Sequence, residues 1–365
     1  AGSDAITLAA ARLATAAALA APVVPLGTDI AFGWNQSATK AQATAVGCLA
    51  AFSNGDTWTF TCPPMPSVNL GNITLAGGMK LSFGFGSAAT TVYNISGRVE
   101  NGGSLMRFAP GIYNIAKGII VPGGARTEFG AGSFRVGPAT GGNAVTVRGG
   151  ATLVLGDALV AGATFEIFGN VFTEGGSCLT FGAAPDHSIS GYVVGAGGIV
   201  FGAGVYTIDG YLHLGPYGGG AVLCNGVMVS FRALNATLIV SGRGVPPGTF
   251  DCAYRAFCAI AGYSDIRLEA PASGPFAKLA VIGPINPAVK SGASFQSGAS
   301  GGQISGTFYF PNGPLILGGG ASVTGGAAGC LQLIGATVTL AGGTTATSLC
   351  VVPGAAPDSG VRLLE

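Results

Sequence analysis

The chain has 365 residues, of which 65 are Gly and 20 Pro, yet only 16 Lys+Arg and 15 Asp+Glu, giving a net charge of +1. Gly stands at more than twice its usual ~7% and charge at about a third of its usual ~25%. This balance excludes an electrostatic footprint for nucleic acid. It excludes collagen, since Gly has no three-residue period, and it disfavours long helices. Hydrophobic residues make up 48% of the chain, which argues for folding rather than disorder.

Residues 1–65 are Ala-rich and poor in Gly. Ser3 or Asp4 can cap a helix running from Ala5 to about Ala21, ended by Pro22 and Pro25. A second helix is predicted from Ser37 to about Phe52, stopped by Ser53-Asn54-Gly55-Asp56, and Thr57–Thr61 alternates as a strand does. No apolar run spans a membrane, and any export or anchoring segment is expected upstream of Ala1.

Beyond residue 65 the texture changes to short alternating runs divided by Gly pairs, as in Val145–Arg148 and Thr337–Leu340. A motif recurs: Phe108-Ala109-Pro110-Gly111-Ile112-Tyr113, then Phe129-Gly130-Ala131-Gly132-Ser133-Phe134, then Phe201-Gly202-Ala203-Gly204-Val205-Tyr206. Fainter Phe-Gly echoes occur at Phe83-Gly84, Phe168-Gly169 and Phe181-Gly182; the first two copies lie 21 residues apart, and Phe181 to Phe201 is 20. A repeat of that length in a strand-rich chain predicts a solenoid with one coil per repeat, Gly at the corners and stacked aromatics inside. The expected fold is therefore all-β: a parallel β-helix over residues 66–365 with a short α-helical N-terminal region, 1–65. A β-sandwich is the rival.

Eight cysteines occur without any C-x-x-C pair. Cys48/Cys62, Cys252/Cys258 and Cys330/Cys350 fall in local pairs, leaving Cys178 and Cys224. Disulfides would assign the chain to an oxidising compartment, such as the periplasm or cell surface; small buried thiols are the alternative.

Catalytic material is sparse. In Asp186-His187 the two side chains would diverge on a strand, and a turn is expected there. His213 is expected on the outer face of a strand. Gly298-Ala299-Ser300-Gly301-Gly302 matches a nucleophile elbow, but no His follows it. The closest acidic group is Asp157, Glu166 and Glu174, while Asp265, Arg267 and Glu269 read as a solvated strand face. No catalytic, cofactor or metal site is expected. The sequons at Asn35, Asn72, Asn94 and Asn235 matter only in a host that glycosylates them.

Several segments resemble TadG-like proteins of tight-adherence (Flp) pilus loci. They are Phe201–Ile208, Leu268–Phe276, Gly306–Leu317, Cys330–Ile334, Val338–Gly342 with Cys350, and Val361–Glu365. The Ala-rich start, Ser3–Ala11, looks like the segment those proteins carry after their membrane anchor. The resemblance runs from about Val92 to the end. It departs from the family in lacking the anchor helix and any Asp-x-Ser-x-Ser adhesion motif. It implies a non-enzymatic structural protein of the bacterial envelope or surface, working in pilus assembly or adhesion. Its partners would be other pilus or envelope proteins or further copies of itself, with a surface glycan as another option. The alternative is an extracellular carbohydrate-binding or polysaccharide-cleaving β-helix.

Overall fold

A computed structural model describes residues 2–348, apart from 88, 139–141, 157–161, 217–218, 249–251, 261–262, 264, 297–301 and 326–329. The chain is all-β and solenoid-like, built mostly of parallel strands, with two helices among the described residues. It divides into two compact units, residues 18–192 and residues 193–365 together with 1–17.

In the unit 18–192, each coil contributes one strand to each of three faces. The first face stacks Val92–Ile95, Gly111–Ile115, Gly132–Val136, Thr164–Ile167 and Asp186–Ile189 in parallel register. The second stacks Val99–Asn101, Ile119–Val121, Asn143–Val147 and Asn170–Thr173. The third stacks Thr57–Thr61, Lys80–Phe83, Leu105–Phe108, Arg126–Phe129, Thr152–Leu155 and Cys178–Phe181. The long strand Ser67–Leu75 serves the first two faces in turn.

Register carries like onto like, so the alternation of each strand becomes continuous columns inside. Phe60, Phe83, Phe108 and Phe129 form one column, with Phe108 and Phe129 stacked at 4.1 Å between ring centroids. Tyr93, Tyr113, Phe134, Phe165 and His187 form another. The recurring aromatic-Gly motif is the corner between the third and first faces, where Gly111 and Gly132 sit one above the other. A Cβ on Gly132 would lie 1.9 Å from the Gly111 carbonyl oxygen, so only Gly fits that approach.

The unit 193–365 repeats the plan. One face carries Gly204–Ile208, Ala236–Val240 and Leu279–Ile282. The next carries Val193–Gly195, Leu212–Leu214, Arg255–Ala259 and Gly292–Phe295. The third carries Gly198–Phe201, Phe231–Leu234 and Ile266–Glu269. Gly302–Leu317 then runs through all three faces as one continuous strand, and Leu331–Leu340 adds a further strand to two of them.

Helix α1 (Gly2–Ala18) belongs to this unit. Its buried Ala5 and Ala9 pack with Ile239, Phe276 and Ile282, and the Arg12 guanidinium lies 5.7 Å from the centre of the Phe276 ring. Small residues every fourth position let the helix lie close against the outer side of the sheet.

Helix α2 (Gln36–Ala45) is shorter than the expected Ser37–Phe52. Gly47 follows its C-cap with φ +74°, the left-handed conformation that terminates helices. Leu49–Ser53 is instead a strand, antiparallel to Thr57–Thr61, and Asn54-Gly55 between them both have positive φ. That is the turn chemistry of a tight hairpin.

Candidate functional site

Parallel stacking leaves each solenoid end with an unpaired strand edge and the last layer of interior side chains uncovered. The two ends of the chain treat this problem differently. At the start, Thr28–Phe32 pairs on one side with Ser67–Leu75. On its other side α2 supplies side chains in place of a strand. Thr39 Oγ1 donates to the Ala31 carbonyl at 2.7 Å, and the Ala31 N–H donates to Gln42 Oε1 at 2.9 Å. Asn35 caps this helix, its Oδ1 accepting from the Ala38 N–H at 3.1 Å. The outward peptide groups of Ala31 in the first strand are therefore covered.

Late in the sequence, Leu331–Leu340 pairs with Gly302–Leu317 through Leu333↔Phe308, Val338↔Leu315 and Leu340↔Leu317. Among the described residues, no strand pairs with the far edge of Gln332–Leu340. The Leu331 N–H donates to Ser348 Oγ at 3.0 Å; beyond it, among the described residues, no further strand covers the interior columns. Leu315 and Leu317 are each 2% exposed, whereas Val338 is 37% and Leu340 50% exposed. Residues 291–357 contain no Asp, Glu, Lys or Arg, so no charge guards this edge. This terminal coil is the candidate functional surface.

The titratable residues are committed elsewhere. His187 lies on the strand Asp186–Ile189 rather than in a turn, and points inward with its ring 4.6 Å from Phe165. Its Nε2 sits 2.9 Å from the Gly182 carbonyl, and burial pushes its pKa down to about 3. The ring continues an aromatic column as a neutral imidazole. His213 does take an outward strand position, but it is buried rather than surface-exposed. Its ring packs 4.3 Å from Tyr211, and Nε2 is 2.6 Å from the Arg255 carbonyl. Burial pushes its pKa down to about 4. Next to it in register lies Cys258, bonded to Cys252 and 3.3 Å from Ser294 Oγ.

Acidic side chains pair with arginines across coils. Glu166 accepts from Arg135 Nε at 2.7 Å, and Glu174 lies 3.3 Å from Arg148 Nε. The two are on different faces and do not converge; Asp157 lies outside the described residues. Glu128 bonds both Arg107 and Arg126. Burial acts to raise its pKa, but these bonds outweigh it and hold the carboxyl below its ordinary value. Asp265 bonds Arg267 Nε at 3.1 Å, on a strand whose Arg267 and Glu269 are exposed. Asp209 is buried beside Arg243; desolvation raises its pKa against the lowering pull of Arg243 and Ser241. Ser300 lies outside the described residues. Among the described residues, no three His, Cys, Asp or Glu side chains gather to hold a metal ion.

Cys48–Cys62 and Cys252–Cys258 are disulfides, and Cys178, Cys224 and Cys330 are disulfide-bonded as well. Cys350 lies outside the described residues. Among the described residues, no helix is long and apolar enough to cross a membrane.

The sequon asparagines have local structural jobs that sequence reasoning missed. Asn35 is the helix cap. The Asn72 N–H and Nδ2 both donate to Asp29 Oδ1, at 2.7 and 3.1 Å. Asn94 is the middle rung of an amide ladder: its Nδ2 donates to Asn69 at 3.0 Å, and Asn114 Nδ2 donates to it at 2.9 Å. Asn235 has φ +55° in the turn between two strands.

Compared with family models, curated proteins and solved structures, the chain matches none.

Proposed function

We propose that the chain is a non-enzymatic structural protein of the bacterial envelope or surface that serves a tight-adherence pilus system through contacts made at its terminal coil. The observation that carries this reading is the layer at Leu333, Val338 and Leu340, which no further strand covers among the described residues and which lies in a segment without charge. Stacked coils of this kind suit a structural role, and among the described residues the acidic side chains do not converge for acid–base work. The disulfides support an oxidising location, and the resemblance to TadG-like proteins supports the pilus context.

The test is to shear pili from cells, purify them and quantify this chain by mass spectrometry in filament and envelope fractions. Co-purification with filaments is expected. A chain absent from filaments and found only free or bound to the outer surface would sink the pilus role.

A further inference from the structure

We propose that the terminal coil is a self-association edge, at which Gln332–Leu340 of one copy pairs antiparallel with the same segment of a second copy. The inference rests on the structural role proposed above and names the partner of that surface.

Three features select a second copy. The first is backbone chemistry. A free strand edge presents alternating N–H and C=O groups, which an extended strand satisfies most completely. A strand meeting its own copy about a two-fold axis is self-complementary by construction. The second is charge. With no Asp, Glu, Lys or Arg in residues 291–357, two such ends approach without like-charge repulsion. Edges that must stay single are ordinarily guarded by Lys, Pro or a covering helix. The third is the treatment of the first strand. Head-to-tail stacking would seat this edge on Thr28–Phe32, but Thr39 and Gln42 of α2 already occupy the Ala31 peptide groups. An end-to-end pair of two terminal coils therefore closes, whereas a head-to-tail filament does not start.

Side-chain parity narrows the register. The coil bends between Gly335 and Thr337, where its pairing to Gly302–Leu317 shifts. Setting Leu333 opposite Leu340 of the second copy, and Gly335 opposite its Val338, keeps inward side chains inward on both molecules. The exposed Val338 and Leu340 are then covered, as Leu315 and Leu317 are covered one coil earlier.

The test is sedimentation velocity on the intact chain over a concentration series, beside the double variant Val338→Lys/Leu340→Lys. Both side chains are already partly exposed, so far-UV circular dichroism is expected to be unchanged. The wild-type chain is expected to reach a dimer, and the variant to associate at least ~100-fold more weakly, the scale of like charges forced together in an interface. A wild-type chain monomeric at every concentration overturns the proposal, as does a dimer that survives the double variant; the former outcome leaves the edge to another occupant, including residues 349–365. A variant with altered circular dichroism is replaced by Thr339→Lys, an outward and exposed edge position, with the same two outcomes. Filament fractionation is read separately, so a chain found in pili but monomeric in solution refutes only the self-association.

Discussion

The first strand, Thr28–Phe32, and the last long one, Leu331–Leu340, face the same physical problem with opposite outcomes. Each has one paired edge. The first has its other edge met by Thr39 and Gln42 of α2, and its inward Phe32 is only 1% exposed. The last has a side-chain partner at its start, where the Leu331 N–H donates to Ser348 Oγ at 3.0 Å, but among the described residues no helix or strand pairs with the rest of that edge, and its inward Leu340 is half exposed. The comparison teaches that burial in a solenoid is decided by the neighbouring coil and not by the residue. Leu317 and Leu340 share one column, one register and one residue type, yet differ from 2% to 50% in exposure.

The largest expected effect tests that lesson directly. Trp58 points inward in the first coils, is fully buried, and its Nε1 donates to the Gly33 carbonyl at 3.3 Å. It also packs against Phe52 and Phe32, at 4.9 and 6.0 Å between ring centroids. Trp58→Ala is expected to cost about 3–5 kcal/mol in chemical denaturation. Leu340→Ala is expected to change stability by no more than about 0.5 kcal/mol, as at other exposed positions. Equal losses at the two sites would mean that Leu340 is buried in solution.

Next comes the Cys48–Cys62 bond, which ties the end of the α2 segment to the third-face strand across a separation of 14 residues. Closing a loop of that size restricts the unfolded chain, so Cys48→Ala/Cys62→Ala is expected to lose about 3 kcal/mol. Reduction of the wild-type chain, which also opens the bond at Cys178, should cost at least as much in whichever transition reports residues 18–192. An unchanged midpoint would show that the strand pairing alone holds the cap.

Acid is expected to act on the columns and not on the ends. His187 has its folded pKa pushed from 6.5 down to about 3 by burial, so between those values the unfolded chain binds the extra proton. Stability from this group is complete above the unfolded value and falls as pH drops from 6.5 towards 3, by at most about 1.4 kcal/mol per pH unit. His213, pushed down to about 4, acts with the same sign. In His187→Phe the part of the slope due to this residue should vanish from urea titrations run at successive pH values. An undiminished slope would assign the acid sensitivity to other groups.

These elements also mark where the sequence was legible. The coil period was readable because Phe108 and Phe129, and Gly111 and Gly132, recur at the spacing of one coil and then stack. The sheet was readable from local alternation. The strand Leu49–Ser53 was not, because Ala-rich alternation resembles a helix continuing from α2; the signals that resolve it are Gly47 and the Asn54-Gly55 turn. For His213 alternation gave the outer face of a strand but left a structural and a surface role open, since it reports direction and not what covers the side chain; the structure buries it. The uncovered terminal coil was legible only in part: the absence of charge is visible in residues 291–357, but which coil lacks a neighbour is a property of the stack.

The smallest effect separates the two edges most sharply. The Ala31 N–H donates to Gln42 Oε1 at a solvent-exposed site. In Gln42→Ala water replaces that partner, so the stability loss should stay within about 1 kcal/mol, the net worth of an ordinary hydrogen bond. Local opening is another matter. Amide exchange reports each backbone group separately, and edge amides need only a small fluctuation to reach solvent. The Ala31 amide should therefore exchange faster in Gln42→Ala than in the wild-type chain, while amides of Ser67–Leu75 one strand inward keep their protection. The outer amides of Gln332–Leu340 should be unprotected in a dilute monomer and gain protection as concentration rises. If Ala31 keeps its slow exchange without Gln42, then Thr39 and the packing of α2 are enough to seal the first edge. The contrast between the two ends would then lie in the presence of a covering helix and not in the side-chain hydrogen bond it lends.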